Sequence, residues 1–314
     1  MHISVIIPIF NEEKNINLIL DQTIDVLKKL GKKYEIICTN DGSTDNSLSV
    51  LKKKSAKNKN IKIINFSKNY GQTASMRAAI KFSKGKYICA LDADLQNDPN
   101  DIPMLLQKLY DGYDCVSGWR FKRNDGILRK FFSKVANWLV AVLTGVKLND
   151  FGCTLKAYKS EILKKIDLYG DMHRFIPVYL VRLGANYTEM KVNHRPRING
   201  KSKYGIGRMP IVILDIILLW FLVKAADRPM QFYGKIGLLT LLISIGFAIY
   251  TIYLKIFSKT SFITTPLTIL VPLFFIGGLL FIMIGLLSEI QLRTFRQNSN
   301  IYEEAYIVKD LYNF

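Results

Sequence analysis

The run Tyr87-Ile88-Cys89-Ala90-Leu91-Asp92-Ala93-Asp94-Leu95-Gln96 passes from apolar residues straight into two carboxylates one position apart. An apolar run this short, made of strand-forming side chains and preceded by a lysine, reads as a β-strand. Two carboxylates at its end reach a single small cavity. Their oxygens suit a hard divalent cation, Mg²⁺ or Mn²⁺, which takes its remaining ligands from phosphates and water.

Working outward, Ile3–Ile9, Tyr34–Thr39, Ile61–Phe66, Lys86–Leu91 and Tyr113–Gly118 share this character, each bounded by Gly, Asn, Asp or Lys. Between them lie the amphipathic stretches Glu12–Leu30, Asp45–Lys57, Gln72–Ser83 and Pro99–Tyr110. The alternation predicts an α/β domain with a mostly parallel sheet covered by helices on both faces. Ligands of such sheets bind at the carboxyl ends of the strands. The loops there are acidic or polar: Asn11-Glu12-Glu13, Asn40-Asp41-Gly42-Ser43 and Asp92-Ala93-Asp94-Leu95-Gln96.

The whole chain has 314 residues, 49% of them hydrophobic, and a formal charge of +19. Its mean hydropathy is +0.14. These values exclude a disordered chain and a collagen-like fibre. High charge and positive hydropathy coexist because the apolar excess is concentrated in two uncharged runs, Ile236–Leu254 and Pro266–Leu287. Each has the length to cross a ~30 Å hydrocarbon core as a helix. The expected organisation is a catalytic domain over 1–205, an interfacial region over 206–230, a two-helix membrane domain over 231–290 and a cytoplasmic tail over 291–314. Ile211–Val223, apolar except for Asp215, is too short to span and suits the headgroup plane. Ile127–Val146 mixes Arg129, Lys130 and Lys134 with Phe131, Phe132 and Trp138, and fits either an interfacial or a core helix.

No stacking aromatics interleave with the basic residues and no nucleic-acid reading module occurs, so anionic lipid headgroups account for the charge. The four cysteines, Cys38, Cys89, Cys115 and Cys153, have neither metal-ligand spacing nor a disulfide framework. The N-terminus runs directly into a strand without a signal-peptide pattern, and the large domain is expected to stay in the cytoplasm. The basic connector between the spans makes the positive-inside signal weak. His173 and His194 read as structural histidines, and no Ser-His-Asp or Cys-His motif calls for a covalent nucleophile.

Three segments in order, Val5-Ile6-Ile7-Pro8-Ile9-Phe10-Asn11-Glu12-Glu13, Asn40-Asp41-Gly42-Ser43-Thr44-Asp45 and Leu91–Pro99, resemble family 2 glycosyltransferases, whose catalytic domain is the nucleotide-sugar-binding GT-A fold. Gly118-Trp119-Arg120, the stretch Asn149–Tyr158 and Arg195–Tyr204, together with the paired apolar runs, are similar to the polyprenyl-phosphate glycosyltransferases. This group includes dolichyl-phosphate mannose synthases, bactoprenol glucosyltransferases and undecaprenyl-phosphate aminoarabinose transferases.

The resemblance implies inverting transfer of a single hexose from a nucleotide diphosphate sugar to a polyprenyl phosphate, at the cytoplasmic face of a multi-pass membrane protein. It puts Pro8, Phe10, Glu12 and Asp41 around the nucleoside, with Phe10 and Asn40 standing where relatives often carry Tyr and Asp. Asp94 then holds the metal, with Asp92 and Gln96 completing or bracing the site and Ala93 between them on the donor. Arg120, Arg129, Ser133, Arg197 and Lys203 match positions implicated in the acceptor phosphate, and Asp150 the place of a base. The missing Q-x-x-R-W segment separates the chain from processive polysaccharide synthases. A UDP-sugar is favoured over GDP-mannose for cell-envelope glycan assembly. The alternatives are a dolichyl-phosphate mannose synthase activity, a growing glycan as acceptor, or a non-catalytic lipid-binding or transport accessory. The Gly277-Gly278 pair permits close helix approach and hence a homo-oligomer.

Overall fold

In the computed structural model, which describes residues 2–121, 127–196, 209–225, 228–258, 261, 265–297 and 308–313, the first strand shows how the sheet is covered. Ile3, Val5, Ile7 and Ile9 of β1 (Ile3–Ile9) enter one apolar cluster, and Ile6 enters a second on the opposite face. Period-two alternation with both faces apolar is what a strand covered on both sides requires. β2 (Tyr34–Asn40), β3 (Ile61–Phe66), β4 (Tyr87–Ala90), β5 (Cys115–Arg120), β6 (Lys156–Lys159), β7 (Tyr187–Val192) and β8 (Val308–Tyr312) complete a sheet of order β7-β5-β6-β4-β1-β2-β3-β8.

The helices of this part are α1 (Ile16–Lys29), α2 (Ser47–Lys57), α3 (Gln72–Phe82), α4 (Ile102–Tyr110), α5 (Ile127–Thr144), α6 (Ser160–Leu163) and α7 (Ile176–Arg182). α1 turns Ile16, Ile19, Leu20, Thr23 and Leu27 inward at three- and four-residue spacing. Together with Ile102, Leu105 and Leu106 of α4, Ile16, Ile19, Leu20 and Leu27 pack on one face of the sheet. Met76, Ala79 and Ile80 of α3 and Ile176 and Leu180 of α7 cover the other.

The parallel set β4-β1-β2-β3 stands where the sequence places it, but the sheet is mixed. β6 runs antiparallel between β4 and β5, and β8 antiparallel along β3. β6 is a four-residue strand with lysines at both ends, and β8 alternates at an edge, so neither has the apolar run that marks the inner strands. The 291–314 stretch is therefore not simply a tail. It holds the end of a long helix and the strand β8.

The chain divides into two units, Met1–Asp215 with Glu304–Phe314, and Ile216–Glu303. α8 (Met209–Lys224) runs across that division. The second unit continues with α9 (Pro229–Phe257) and α10 (Leu267–Gln297), both longer than the apolar runs that announced them. Both are long and apolar enough to cross a membrane. Neither is a core helix, because large apolar side chains such as Leu238, Leu242, Ile249, Met283 and Leu287 lie exposed. The two pack closely through Gly237 and Gly278. A Cβ on Gly278 would meet Gly237 O at 2.9 Å and Leu241 Cγ at 2.7 Å. Ser244 Oγ also donates to Val271 O at 2.7 Å, which satisfies its hydroxyl within the helix pair. Gly278 thus serves packing within one chain, while Gly277 meets nothing within 4 Å.

Candidate active site

The carboxyl ends of β1, β2 and β4 are adjacent because these strands pair directly and in parallel. The loop after β1 is tied to the loop after β2. Asn11 Oδ1 accepts from Thr44 N at 2.8 Å, Glu12 N donates to Ser47 Oγ at 3.0 Å, and Glu13 N to Asp45 Oδ2 at 3.1 Å. Glu12 Oε2 accepts from Asn15 Nδ2 at 2.6 Å, which orients its carboxylate at the start of α1. Pro8 and Phe10 are half-buried beside it.

Asp41 is buried, and its two oxygens accept from the backbone N–H groups of Tyr70 at 2.7 Å and Gly71 at 2.9 Å. Burial raises the carboxyl pKa, and those two hydrogen bonds oppose the rise. The neighbouring Gly42 has φ +62°, and a Cβ there would lie 2.3 Å from Lys68 C. Only glycine lets these loops approach so closely. The loop after β3, which the sequence reading did not include, is therefore the clamp on Asp41. The carboxyl-end rule, applied to β3 as well, would have found it.

Asp92 Oδ1 accepts from Gln72 Nε2 at 2.9 Å, at the first residue of α3, and Asp94 Oδ1 accepts from Gln96 N at 3.1 Å. Leu95, buried between Asp94 and Gln96, holds φ +63°. A left-handed leucine costs on the order of 1–3 kcal/mol, and strain of this kind gathers at ligand sites. Two carboxylates oriented by neutral amides, with the Gln96 carboxamide two residues on, form an all-oxygen donor set that fits Mg²⁺ or Mn²⁺. Among the described residues no group of three or more His, Cys, Asp or Glu offers a metal cage.

On the other flank, Asp150 (2% exposed) forms a bidentate pair with Arg120. Asp150 Oδ2 accepts from Arg120 Nε at 2.6 Å and from its backbone N at 3.3 Å. Oδ1 accepts from Nη2 at 2.9 Å and from Gly152 N at 3.1 Å. Arg120 is thus engaged by Asp150 in this structure. Lys156, also 2% exposed, donates from Nζ to Phe151 O at 3.0 Å and Arg174 O at 3.3 Å. Burial lowers its pKa. His173, next to Arg174, joins Thr73 Oγ1 through Nδ1 at 2.7 Å, and burial pushes its pKa down to about 3.

Segment 193–195 lies against the loop that follows β4. Arg195 N donates to Gln96 O at 2.8 Å, Arg195 Nη2 pairs with Asp98 at 2.5 Å, and His194 bridges to Asn97. The basic stretch that holds Arg197 and Lys203 therefore departs from beside Gln96, although those two residues lie outside the described ones. Arg129 sits on α5 with its side chain outside the described set, and Ser133 is half-buried one turn on. All four cysteines are buried and free, their thiols pushed up to about 12 by burial, which leaves them inert.

Residues 4–167 match the model of glycosyl transferase family 2. The chain is 34% identical to a dodecaprenyl-phosphate galacturonate synthase of Rhizobium johnstonii, over 100% of this chain and 94% of that one. It is 32% identical to an undecaprenyl-phosphate 4-deoxy-4-formamido-L-arabinose transferase of Shewanella sediminis, over 91% and 86%. Among solved structures, glucosyl-3-phosphoglycerate synthase from Mycobacterium tuberculosis, in complex with Mn²⁺, UDP-glucose and phosphoglyceric acid, superposes with a TM-score of 0.55 at 18% identity. That superposition covers 70% of this chain and 79% of the other, and it speaks for the GT-A fold alone. With near-full-length identity to two such transferases, the chain belongs to the polyprenyl-phosphate glycosyltransferases of glycosyl transferase family 2.

Proposed function

We propose that the chain transfers one glycosyl group from a nucleotide diphosphate sugar to a polyprenyl phosphate, by one inverting displacement at the anomeric carbon. The observation that carries this reading is the direct attachment of segment 193–195 to the metal loop through Gln96 O and Asp98. It puts the root of a strongly basic stretch beside the carboxylates that suit a metal diphosphate. On this reading Pro8, Phe10, Glu12, Asp41 and Ala93 face the donor, and Asp92, Asp94 and Gln96 hold Mg²⁺ or Mn²⁺. A bound cation would stabilise the charge on the leaving nucleoside diphosphate. Arg129, Ser133, Arg197 and Lys203 receive the acceptor phosphate, with Arg120 and Asp150 framing it. Arginine suits bidentate phosphate recognition.

The connectivity supports a membrane hairpin. β8 belongs to the same sheet as β1, so the chain leaves the first unit and re-enters it. An even number of crossings meets that condition and a single crossing does not. Activated sugars are made in the cytoplasm, which puts the catalytic unit on that side. The named relatives carry a hexuronate and a formamido-pentose, and pocket walls separate such sugars by a few kcal/mol. The donor base favoured is uracil.

The test is Mn²⁺-dependent movement of radiolabelled sugar into organic-extractable lipid, run on the parent chain and on Asp94→Ala. The variant is expected to lose transfer and Mn²⁺-dependent donor binding together. Undiminished turnover in it would remove the metal role, and label moving into a water-soluble glycan would remove the lipid acceptor.

A further inference from the structure

The second unit holds a charged cavity that the proposed reaction does not use. It has a volume of about 480 Å³ and is lined by Lys224, Arg228, Gln231, Phe232, Lys235 and Ile236. Lys224 ends α8, and Pro229 begins α9. Arg228, Gln231, Phe232 and Lys235 recur at three- and four-residue spacing, which puts them on one face at the start of α9. Lys224, Arg228 and Lys235 are exposed, and none of them forms an ion pair among the described residues. No carboxylate lines the cavity. Glu289, one turn beyond the Gly285 that packs on Met230, is engaged by Arg293 at 3.6 Å. The described walls thus gather three cations with nothing to balance them.

The level of these charges along α9 points to what balances them. The helix has 29 residues, about 43 Å at ~1.5 Å each, close to the ~40–45 Å of a bilayer with its headgroups. Arg228 and Lys235 flank its first ~10 Å, and the uncharged run Ile236–Leu254 follows at once. Both cations stand at headgroup depth when that run crosses the hydrocarbon core, and Lys224 joins them at the cavity. An aromatic cluster marks the same level. The Phe232 ring centroid lies 5.6 Å from that of Trp220 and 5.3 Å from that of Tyr233. Tryptophan and tyrosine gather at membrane–water interfaces. Phe232 and Ile236 also give the cavity an apolar wall, so it suits a molecule with an anionic head and an apolar body.

We propose that this cavity is a lipid site, which takes the phosphate of an anionic phospholipid at the start of the first span. Arg228 receives phosphate oxygens in pairs, and Lys224 and Lys235 add point charges. Basic pockets beside membrane helices hold anionic headgroups in this way. The proposal rests on α9 crossing a membrane and not on the sugar transferred. A polyprenyl phosphate offers the same phosphate chemistry. Its phosphate must reach the donor, however, and the residues expected to receive it all precede the second unit.

The test titrates the full chain in neutral detergent with dansyl-labelled phosphatidylglycerol and reads energy transfer from tryptophan. Trp220 adjoins the cavity through Phe232. Saturable transfer is expected for the parent. Arg228→Gln and Lys235→Gln are each expected to weaken the probe about fivefold, and the two together roughly twenty- to thirtyfold. Arg228→Lys with Lys235→Arg, which keeps both charges, is expected to bind more tightly than the double glutamine variant. Lys53→Gln, exposed on α2, is expected to leave binding unchanged. A loss in Lys53→Gln equal to that in Arg228→Gln means diffuse attraction and overturns the site. So does parent-like binding in the double glutamine variant, or equal binding of dansyl-labelled phosphatidylcholine. Unlabelled competitors separate the two lipid sources. Phosphatidylglycerol is expected to displace the probe, whereas a polyprenyl phosphate that does so at about tenfold lower concentration assigns the cavity to the acceptor and overturns the phospholipid. Vesicle flotation of the parent checks the span: a chain that stays in solution removes the membrane reading, and the site with it.

Discussion

Replacing Asp150 by Asn separates two roles that this carboxylate can have in the reaction. A general base that takes a proton in the transition state contributes typically 10²–10⁴-fold. The geometry argues against that role. Both carboxylate oxygens are turned to Arg120 and Gly152, with the shortest contact 2.6 Å from Arg120 Nε. Taking a proton from the acceptor would mean pulling a 2%-exposed carboxylate out of a bidentate ion pair. The proposed nucleophile also has little need of a base, because a phosphate monoester with a second pKa near 6 is mostly dianionic at pH 7–8. Asp150→Asn keeps the shape and one acceptor oxygen but loses the charge that holds the guanidinium. Transfer into extractable lipid is therefore expected to fall by less than about tenfold and to gain nothing from raised pH.

Stability is the companion measurement. Removing one partner of a buried pair costs roughly 3–5 kcal/mol. Arg120 is partly exposed, so Asp150→Ala is expected at the lower end, near ~3 kcal/mol. At ~2–4 °C per kcal/mol for a unit of this size, the melting temperature drops by roughly 6–12 °C. A loss of transfer beyond about 10²-fold in Asp150→Asn, with UDP binding, lipid binding and melting temperature all preserved, would refute the reasoning and restore an obligatory base.

His173 carries an acid-stability signature. Below pH ~6.5 the unfolded chain takes up a proton that the buried imidazole refuses until about pH 3, so stability falls as pH drops through that window, by about 1.4 kcal/mol per unit. His173→Gln is expected to flatten the fall of melting temperature between pH 6 and 4, and parallel curves would count against the assignment. Gly278→Leu drives a side chain into Gly237 O and Leu241, and is expected to lower thermal stability in detergent by on the order of 1–3 kcal/mol or more. Gly277→Leu, which meets open space, is the control that should not. Deleting 308–314 leaves β3 as an open edge, and light scattering should show self-association beyond that of the parent.

The inner strands and the loops at their carboxyl ends were legible because each declares itself locally. An apolar run ends in Asn-Asp-Gly or Asp-Ala-Asp, and the parallel sheet brings those ends together. What the sequence concealed is held by partners far away along the chain. Lys156 carries no sequence signal of its own, yet its buried Nζ donates to the carbonyls of Phe151 and Arg174 and makes it a fastener. Arg195 reads as one more basic residue of the acceptor stretch, but Asp98 and Gln22 take up its guanidinium. Val308–Tyr312 alternates weakly, and only the open edge of β3 gives it a place. Arg120 was expected on phosphate from its position after Gly118-Trp119. Nothing in the spacing said that Asp150 would meet it with two parallel hydrogen bonds.

These distant partners join the two halves of the site into one frame. Asp92 is held by Gln72, and the next residue, Thr73, is held by His173. Beside His173, the carbonyl of Arg174 receives Lys156, whose other bond fixes Phe151 next to the Asp150–Arg120 pair. The path from the Asp92 carboxylate to the Asp150–Arg120 pair thus runs through side chains that are mostly buried and paired at hydrogen-bond distances. A direct displacement needs the leaving diphosphate and the entering phosphate on opposite sides of one carbon, where a misplacement of about 1 Å can cost on the order of 10²-fold in rate. On the proposed reading, a network of this kind would set that alignment before either substrate arrives. The acceptor's long chain then has only to deliver its headgroup to a site whose spacing is already set.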